Sequence, residues 1–201
     1  MIIKKITSIQ KLEDFGRVRL SKSFFMRDFL YSEIANHFQI QNFPDHPDIA
    51  IRVGQSLCEE LLEPLQKKFG RIAIRSAYRS PEVNQLGNEK KLNCANNQKN
   101  FANHIWDYPN ERGYGATACI VIPSFLDLYE KDQNNWQQLA YWIHNNLPYS
   151  RLEFYPKLCA FNINWHEQPL REIHSYIPSK AGILVKGTSP HLDYAQFYPD
   201  L

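Results

Sequence analysis

The chain lacks most of what would place it in a specialised class. No apolar run approaches the roughly 18 to 20 residues that a membrane-spanning helix needs, and the mean hydropathy of -0.49 is that of a water-soluble chain. It lacks an excess of charge of one sign: 23 Lys and Arg stand against 21 Asp and Glu, a formal net charge of +2. Electrostatics therefore give no reason to expect nucleic acid or an anionic membrane surface as a partner. It lacks any C-x-x-C pair. Cys58, Cys94, Cys119 and Cys159 are scattered, which fits neither a zinc ribbon nor the dense disulfide framework of a small secreted domain. The thiols read as reduced. The first ten residues have no apolar h-region and no small-residue cleavage site, so no Sec leader is expected and the cytoplasm is the expected location. A phage-encoded chain, or one exported by another route, fits the same sequence. Internal repeats and low-complexity tracts are also missing.

What is present is enough for one domain: 201 residues can bury a sizeable core but not two comfortable ones. Residues 1–20 read as a basic and apolar N-terminal arm ending at Ser21-Lys22-Ser23, a helix cap. Phe24 to Phe38 carries apolar residues at helical spacing. Ile49, Val53, Leu57, Leu61, Leu65 and Phe69 recur every four residues, the clearest helix in the chain. Gly70 closes it, and Glu63-Pro64 inside it predicts a kink. Residues 71–77 alternate with period two as a strand does, and Ser80-Pro81-Glu82 caps a short helix. From Gly87 to Tyr114, seven Asn with two Gly and one Pro predict a long irregular loop. Residues 116–122 predict a strand and 135–147 an amphipathic helix. Residues 152–155 and 160–165 predict a strand pair, and residues 168–201 a tail that wraps the core. Helices precede strands, so the class is α+β with an antiparallel sheet.

The order of pieces from Leu61 to Asn84 carries a resemblance. Leu-Leu-Glu-Pro-Leu-Gln-Lys-Lys-Phe-Gly runs straight into a strand and turn, Ile-Ala-Ile-Arg-Ser-Ala-Tyr-Arg-Ser-Pro-Glu-Val-Asn. This stretch resembles the opening of the zinc D-alanyl-D-alanine carboxypeptidases, whose fold is shared with the hedgehog signalling domain. Their pattern is a helix with L-x-P-L, then a strand ending S-G-Y-R-S/T; Ala77 stands where they usually have glycine. The resemblance spans, in outline, roughly residues 20 to 175. It implies a small antiparallel sheet with helices packed on one side. It also implies zinc on two histidines and an aspartate, a general base, and an arginine holding the carboxylate of a peptide or peptidoglycan-like substrate.

Carried over residue by residue, the resemblance puts Arg79, beside Tyr78, in the place of that arginine. His104 falls where the first metal ligand belongs, with Ala102 and Asp107 in place of the motif's Ser and Gly. Gly115-Ala116-Thr117-Ala118-Cys119 is the best match to G-x-A-x-D, so Cys119 occupies the position of the metal-binding aspartate. Trp165-His166 matches the Trp-His pair of the third ligand, whereas the family's base, three residues before that histidine, is Ile163 here.

Zinc catalysis needs about three protein ligands and one open position for an acidified water. His104, Cys119 and His166 would supply two imidazoles and a thiolate; Asp107, three residues after His104, is the alternative carboxylate ligand. Each has a plainer alternative: a small buried hydrophobe for Cys119, an Asx turn for Asp107, a hydrogen-bonded core or surface group for a lone histidine. Glu167 is the nearest candidate base, yet on a strand it points away from His166. Asn162 and Asn164 share the face of His166 and would orient a substrate amide without accepting a proton. Arg79, between a strand and a capped helix, is placed to clamp a carboxylate bidentately. Three functions follow. The first is a zinc-dependent hydrolase of a peptide or amide with a free carboxylate. The second is a catalytically inactive binding module that retains the peptidase fold. The third is amide or ester chemistry with Cys119 as nucleophile and His104 or His166 as base.

Overall fold

Alternation along one central strand organises the molecule. The computed structural model describes residues 5–187, 192–199 and 201, and its strands are β1 (Ala73–Ser76), β2 (Gly115–Val121), β3 (Arg151–Phe154), β4 (Phe161–His166), β5 (Glu172–Ser175) and β6 (Gly182–Lys186). They form one six-stranded sheet in the order β1-β2-β4-β3-β5-β6. On β2, Ala116, Ala118 and Ile120 face the core; Phe161 and Ile163 of β4, Leu152 and Phe154 of β3, and Ile173 of β5 join them, all buried. Each side chain of that size, fully buried, contributes about 1.5–3 kcal/mol.

The class is α+β, as the order of helices and strands predicts, but the sheet is not wholly antiparallel. β3 and β5 run parallel, with Arg151 opposite Glu172 and Phe154 opposite Ser175. The cause lies in residues 167–171, which carry the chain from β4 past the start of β3 and lay β5 on its far side. Glu172 N–H donates to Ser150 O at 3.0 Å and Leu170 N–H to Ser150 Oγ at 3.3 Å. The Arg171 guanidinium bonds the carbonyls of His144 and Leu147. Because β5 is antiparallel to β4, two strands away, no long crossover is needed. Part of the expected wrapping tail is thus two strands of the sheet.

The helical layer is α1 (Ile9–Gly16), α2 (Glu33–Phe38), α3 (Pro47–Leu57), α4 (Glu63–Phe69), α5 (Pro81–Glu89), α6 (Asn97–Asn100), α7 (Leu126–Lys131) and α8 (Trp136–Asn146). The stripe Val53, Leu57, Leu61 and Leu65 is fully buried. Where a kink is expected at Pro64, the chain makes a π-helical turn over Cys58–Leu62, and Glu63 N–H reaches back to Cys58 O. Proline lacks the N–H and crowds the carbonyl four residues earlier, and one wide turn resolves both. Three expectations fail nearby. The N-terminal arm holds a helix, capped by the Ser8 side chain. Ser21 and Ser23 cap no helix but bind Glu63, through Ser21 Oγ at 2.8 Å and Ser23 N at 2.6 Å. The run from Phe24 to Phe38 is broken into a 3-10 turn, Met26–Phe29, and α2.

Residues 87–114 are not irregular throughout. They contain the end of α5 and all of α6, and they bury Ala102, His104, Ile105, Trp106 and Asp107. Pairing of β1 with β2 ends at Ser76–Cys119; beyond it this segment takes over the edge of β2. Thr117 N–H donates to Asn103 O at 2.9 Å, and Trp106 Nε1 donates to Thr117 O at 3.2 Å.

Candidate functional site

Cross-strand register puts three rows on the sheet face opposite the apolar core. Cys119, Asn162 and Glu153 form one row, Thr117, Asn164 and Arg151 the next, and Gly115 pairs with His166 in the third. Above the first two rows lies a cleft of about 320 Å³ whose walls include Arg79, Asn100, Asn103 and the tyrosines Tyr155 and Tyr176. Asn162 donates to Glu153 Oε2 at 2.9 Å and to the Tyr155 hydroxyl at 3.0 Å. Asn164 donates to Thr117 Oγ1 at 2.9 Å and to Ala102 O at 3.1 Å, tying the sheet to the overlying segment. Tyr155 and Tyr176 stack with centroids 5.3 Å apart.

Arg79 enters this cleft from the turn between β1 and α5. That turn is held by Ser80, which caps α5 through Val83 N at 3.2 Å, and by Asn42, which accepts from Ser80 N at 2.8 Å. Nη1 of Arg79 donates to Asn84 Oδ1 at 3.2 Å and to Cys94 Sγ at 2.8 Å. Its buried Nε has no partner, and among the described residues the guanidinium pairs with no Asp or Glu. Nε and Nη2 are the side-on fork of an arginine, and here neither makes a hydrogen bond among the described residues, Nε being buried.

The structure brings Arg79, Asn162 and Asn164 into the one cleft. It does not bring the expected metal ligands together: among the described residues, no three His, Cys, Asp or Glu side chains are placed to hold a metal ion. His104 is buried with Nδ1 2.6 Å from Ala77 O; a carbonyl only accepts, so Nδ1 carries the proton and Nε2 is the lone-pair nitrogen. Burial first, and then the nearby Arg79 charge, hold its pKa well below the usual value. His166 uses both nitrogens: Gln168 N–H donates to Nδ1 at 3.0 Å, and Nε2 lies 3.1 Å from Asn110 Oδ1. Burial and the Arg112 charge lower it to about 4. Burial pushes the Cys119 thiol up to about 11, against the weaker pull of Arg75 and Arg79. It therefore stays protonated at neutral pH without a metal, the wrong form for a nucleophile. It makes no hydrogen bond with either histidine among the described residues. Asp107 faces the core, accepting from Tyr78 Oη at 3.3 Å and His46 N at 3.1 Å. The four donors, as placed, do not fit a zinc shell of three.

Two further expectations are corrected. Tyr78 does not line the cleft; its ring is fully buried, edge-on to Trp106 at 6.1 Å. Glu167 turns toward α3, where Oε1 meets Arg52 Nη1 at 2.7 Å and Oε2 accepts from Tyr114 N at 2.9 Å. The backbone hydrogen bond first, then Arg52, hold its carboxyl below the usual range. It is an ionised, engaged carboxylate away from His166.

The sequence reading passed over Thr117, Arg151, Glu153 and Tyr155. A signal for the strand residues was present, because Arg-Leu-Glu-Phe alternates polar and apolar, and polar residues on three adjacent strands share one face. No family model, no curated protein and no solved structure matches the chain.

Proposed function

We propose that this chain is a binding module of carboxypeptidase-like fold that holds a small peptide ligand by its free carboxylate, without a metal. One observation carries the reading: a half-buried guanidinium, clamped through Nη1 by Asn84 and Cys94, leaves its buried Nε unpartnered and has no carboxylate partner among the described residues. A buried N–H without a partner costs about 1–3 kcal/mol, and a carboxylate is the group whose two oxygens match the fork that Nε and Nη2 form. Asn162, Asn164 and Thr117 line the same cleft with amide and hydroxyl groups suited to a peptide bond. The engaged state of His166, Asp107 and Glu167 favours binding over hydrolysis.

The test pairs elemental analysis of the purified chain with calorimetric titration of N-acetyl-D-alanyl-D-alanine. The expected result is no stoichiometric metal, binding without turnover, and affinity falling about 10- to 100-fold in Arg79→Gln, the loss of a charge-assisted pair. About one zinc per chain, removed by His166→Ala, would overturn the reading in favour of the hydrolase. Equal affinity in Arg79→Gln would overturn the assignment of the carboxylate to Arg79.

A further inference from the structure

Arg79 stands at the junction of two clefts, and the second has a different character. It is larger, about 580 Å³, and is lined by Ile34 and Phe38 of α2, by Leu92 and Cys94, and by Arg79 itself. Ile34 and Phe38 are four residues apart and so share one side of their helix; both are half-buried, and Leu92 is 43% exposed. Leu92 is presented by a turn whose flanking residues, Lys91 and Asn93, are both left-handed at φ 56° and 57°. The wall behind is tightly packed, since a Cβ at Gly87 would lie 2.6 Å from Cys94 Sγ and 2.8 Å from Ile34 Cδ1. Thus an apolar hollow on a firm base opens beside an uncompensated cation. Glu33 and His37, its charged and titratable neighbours on α2, are both exposed.

A small inorganic anion would use the cation and waste the hollow, and a plain hydrocarbon would do the reverse. We infer that the ligand of Arg79 carries a large apolar group next to its carboxylate, seated among Ile34, Phe38 and Leu92 while the guanidinium fork holds the charge. The inference rests on the reading that Arg79 takes a carboxylate, and it adds what must be attached to that carboxylate. Two sources share this chemistry: a free aliphatic acid, and a peptide end whose last residue has a bulky apolar side chain.

The experiment titrates the full chain, by calorimetry, with two series of probes. One is acetate, butanoate, hexanoate and octanoate; the other is N-acetylglycine, N-acetylalanine, N-acetylleucine and N-acetylphenylalanine. Affinity is expected to rise with apolar size in at least one series, by about two- to fourfold per methylene, and the series that rises identifies the source. The rise should flatten in Leu92→Asn and in Phe38→Gln, while the smallest probe of each series is unaffected. Circular dichroism melts establish that both variants are folded, and Leu92, being exposed, is the safer of the two. Affinity independent of size but lost in Arg79→Gln would overturn this inference and leave the carboxylate reading standing. Affinity indifferent to Arg79→Gln would overturn both.

Discussion

The hydroxyl of Tyr78 donates to Oδ1 of Asp107 at 3.3 Å inside the core, while the His46 amide takes the other oxygen at 3.1 Å. This pairing turns a candidate metal ligand into a strut between the segment after α6 and the entry to α3. Burial raises the Asp107 pKa against the opposing pull of the His46 N–H, with Asp45 adding to the rise. The folded state therefore keeps this proton to higher pH than the unfolded chain. Its stabilising contribution is complete below the ordinary carboxylate value near 4 and is lost as pH rises through the folded value. Asp107→Asn should remove that slope and shift stability at pH 7 by less than about 1 kcal/mol, because an amide still serves both neighbours. Asp107→Ala should cost about 1–3 kcal/mol by orphaning them. Urea unfolding at several pH values separates the two.

The buried histidines work in the opposite direction. His104, His144 and His166 all have pKa values depressed by burial, the last two to about 4. Each binds a proton more readily in the unfolded chain. Their contribution is present above the unfolded value of about 6.5 and is lost as pH falls toward the folded values. Their ring resonances should stay unshifted from about pH 7 to pH 5. The urea midpoint should fall over the same interval, and a ring of His166 that titrates near 6.5 would contradict the hydrogen bonds assigned to it.

Cys119→Asp restores the carboxylate that the resemblance expects in the shell. In this structure the new side chain would sit beside Asn162 and Glu153 on the sheet, largely desolvated and close to a like charge. It should destabilise by about 2 kcal/mol and gain no zinc. Cys119→Ser should stay within about 1 kcal/mol of the parent. Thermal melts with and without added zinc decide the matter, and a zinc-dependent rise in Tm for the aspartate variant would sink it.

Gly115 offers a sharper structural test. A Cβ there would stand 2.4 Å from Ala102 O, 2.8 Å from Trp165 O and 2.9 Å from His166 Cδ2. Two of these atoms are backbone and cannot swing aside, so Gly115→Ala should cost about 3 kcal/mol. It should also weaken ligand binding by displacing Ala102, on which Asn164 depends. Chemical unfolding and calorimetry read the two effects separately.

The sequence made the local architecture legible wherever a period was long or a signal strong. The stripe from Ile49 to Phe69, the strand signal in residues 116–122 and the capped start at Ser80 each announce an element. The parallel pairing of β5 with β3 left no such trace, because it depends on Ser150 and Arg171 guiding a five-residue connection. Nor did the fate of Pro64, since a kink and a π-turn answer the same missing N–H. At the site, the amides of Asn162 and Asn164 were legible from strand parity. The engagement of His166 by Asn110, or of Glu167 by Arg52, was not, because those partners lie 56 and 115 residues away in sequence.

The backbone bond from Thr117 to Asn103 makes one wall of the cleft an honorary strand of the sheet. A wall pinned in this way does not swing, so a ligand meets a finished surface rather than one that must close around it. Little ordering entropy is then charged against association. For the ligand proposed above, the on-rate would then be set by diffusion and by the attraction of Arg79. Differences in affinity among related ligands will accordingly be written in how long each one stays.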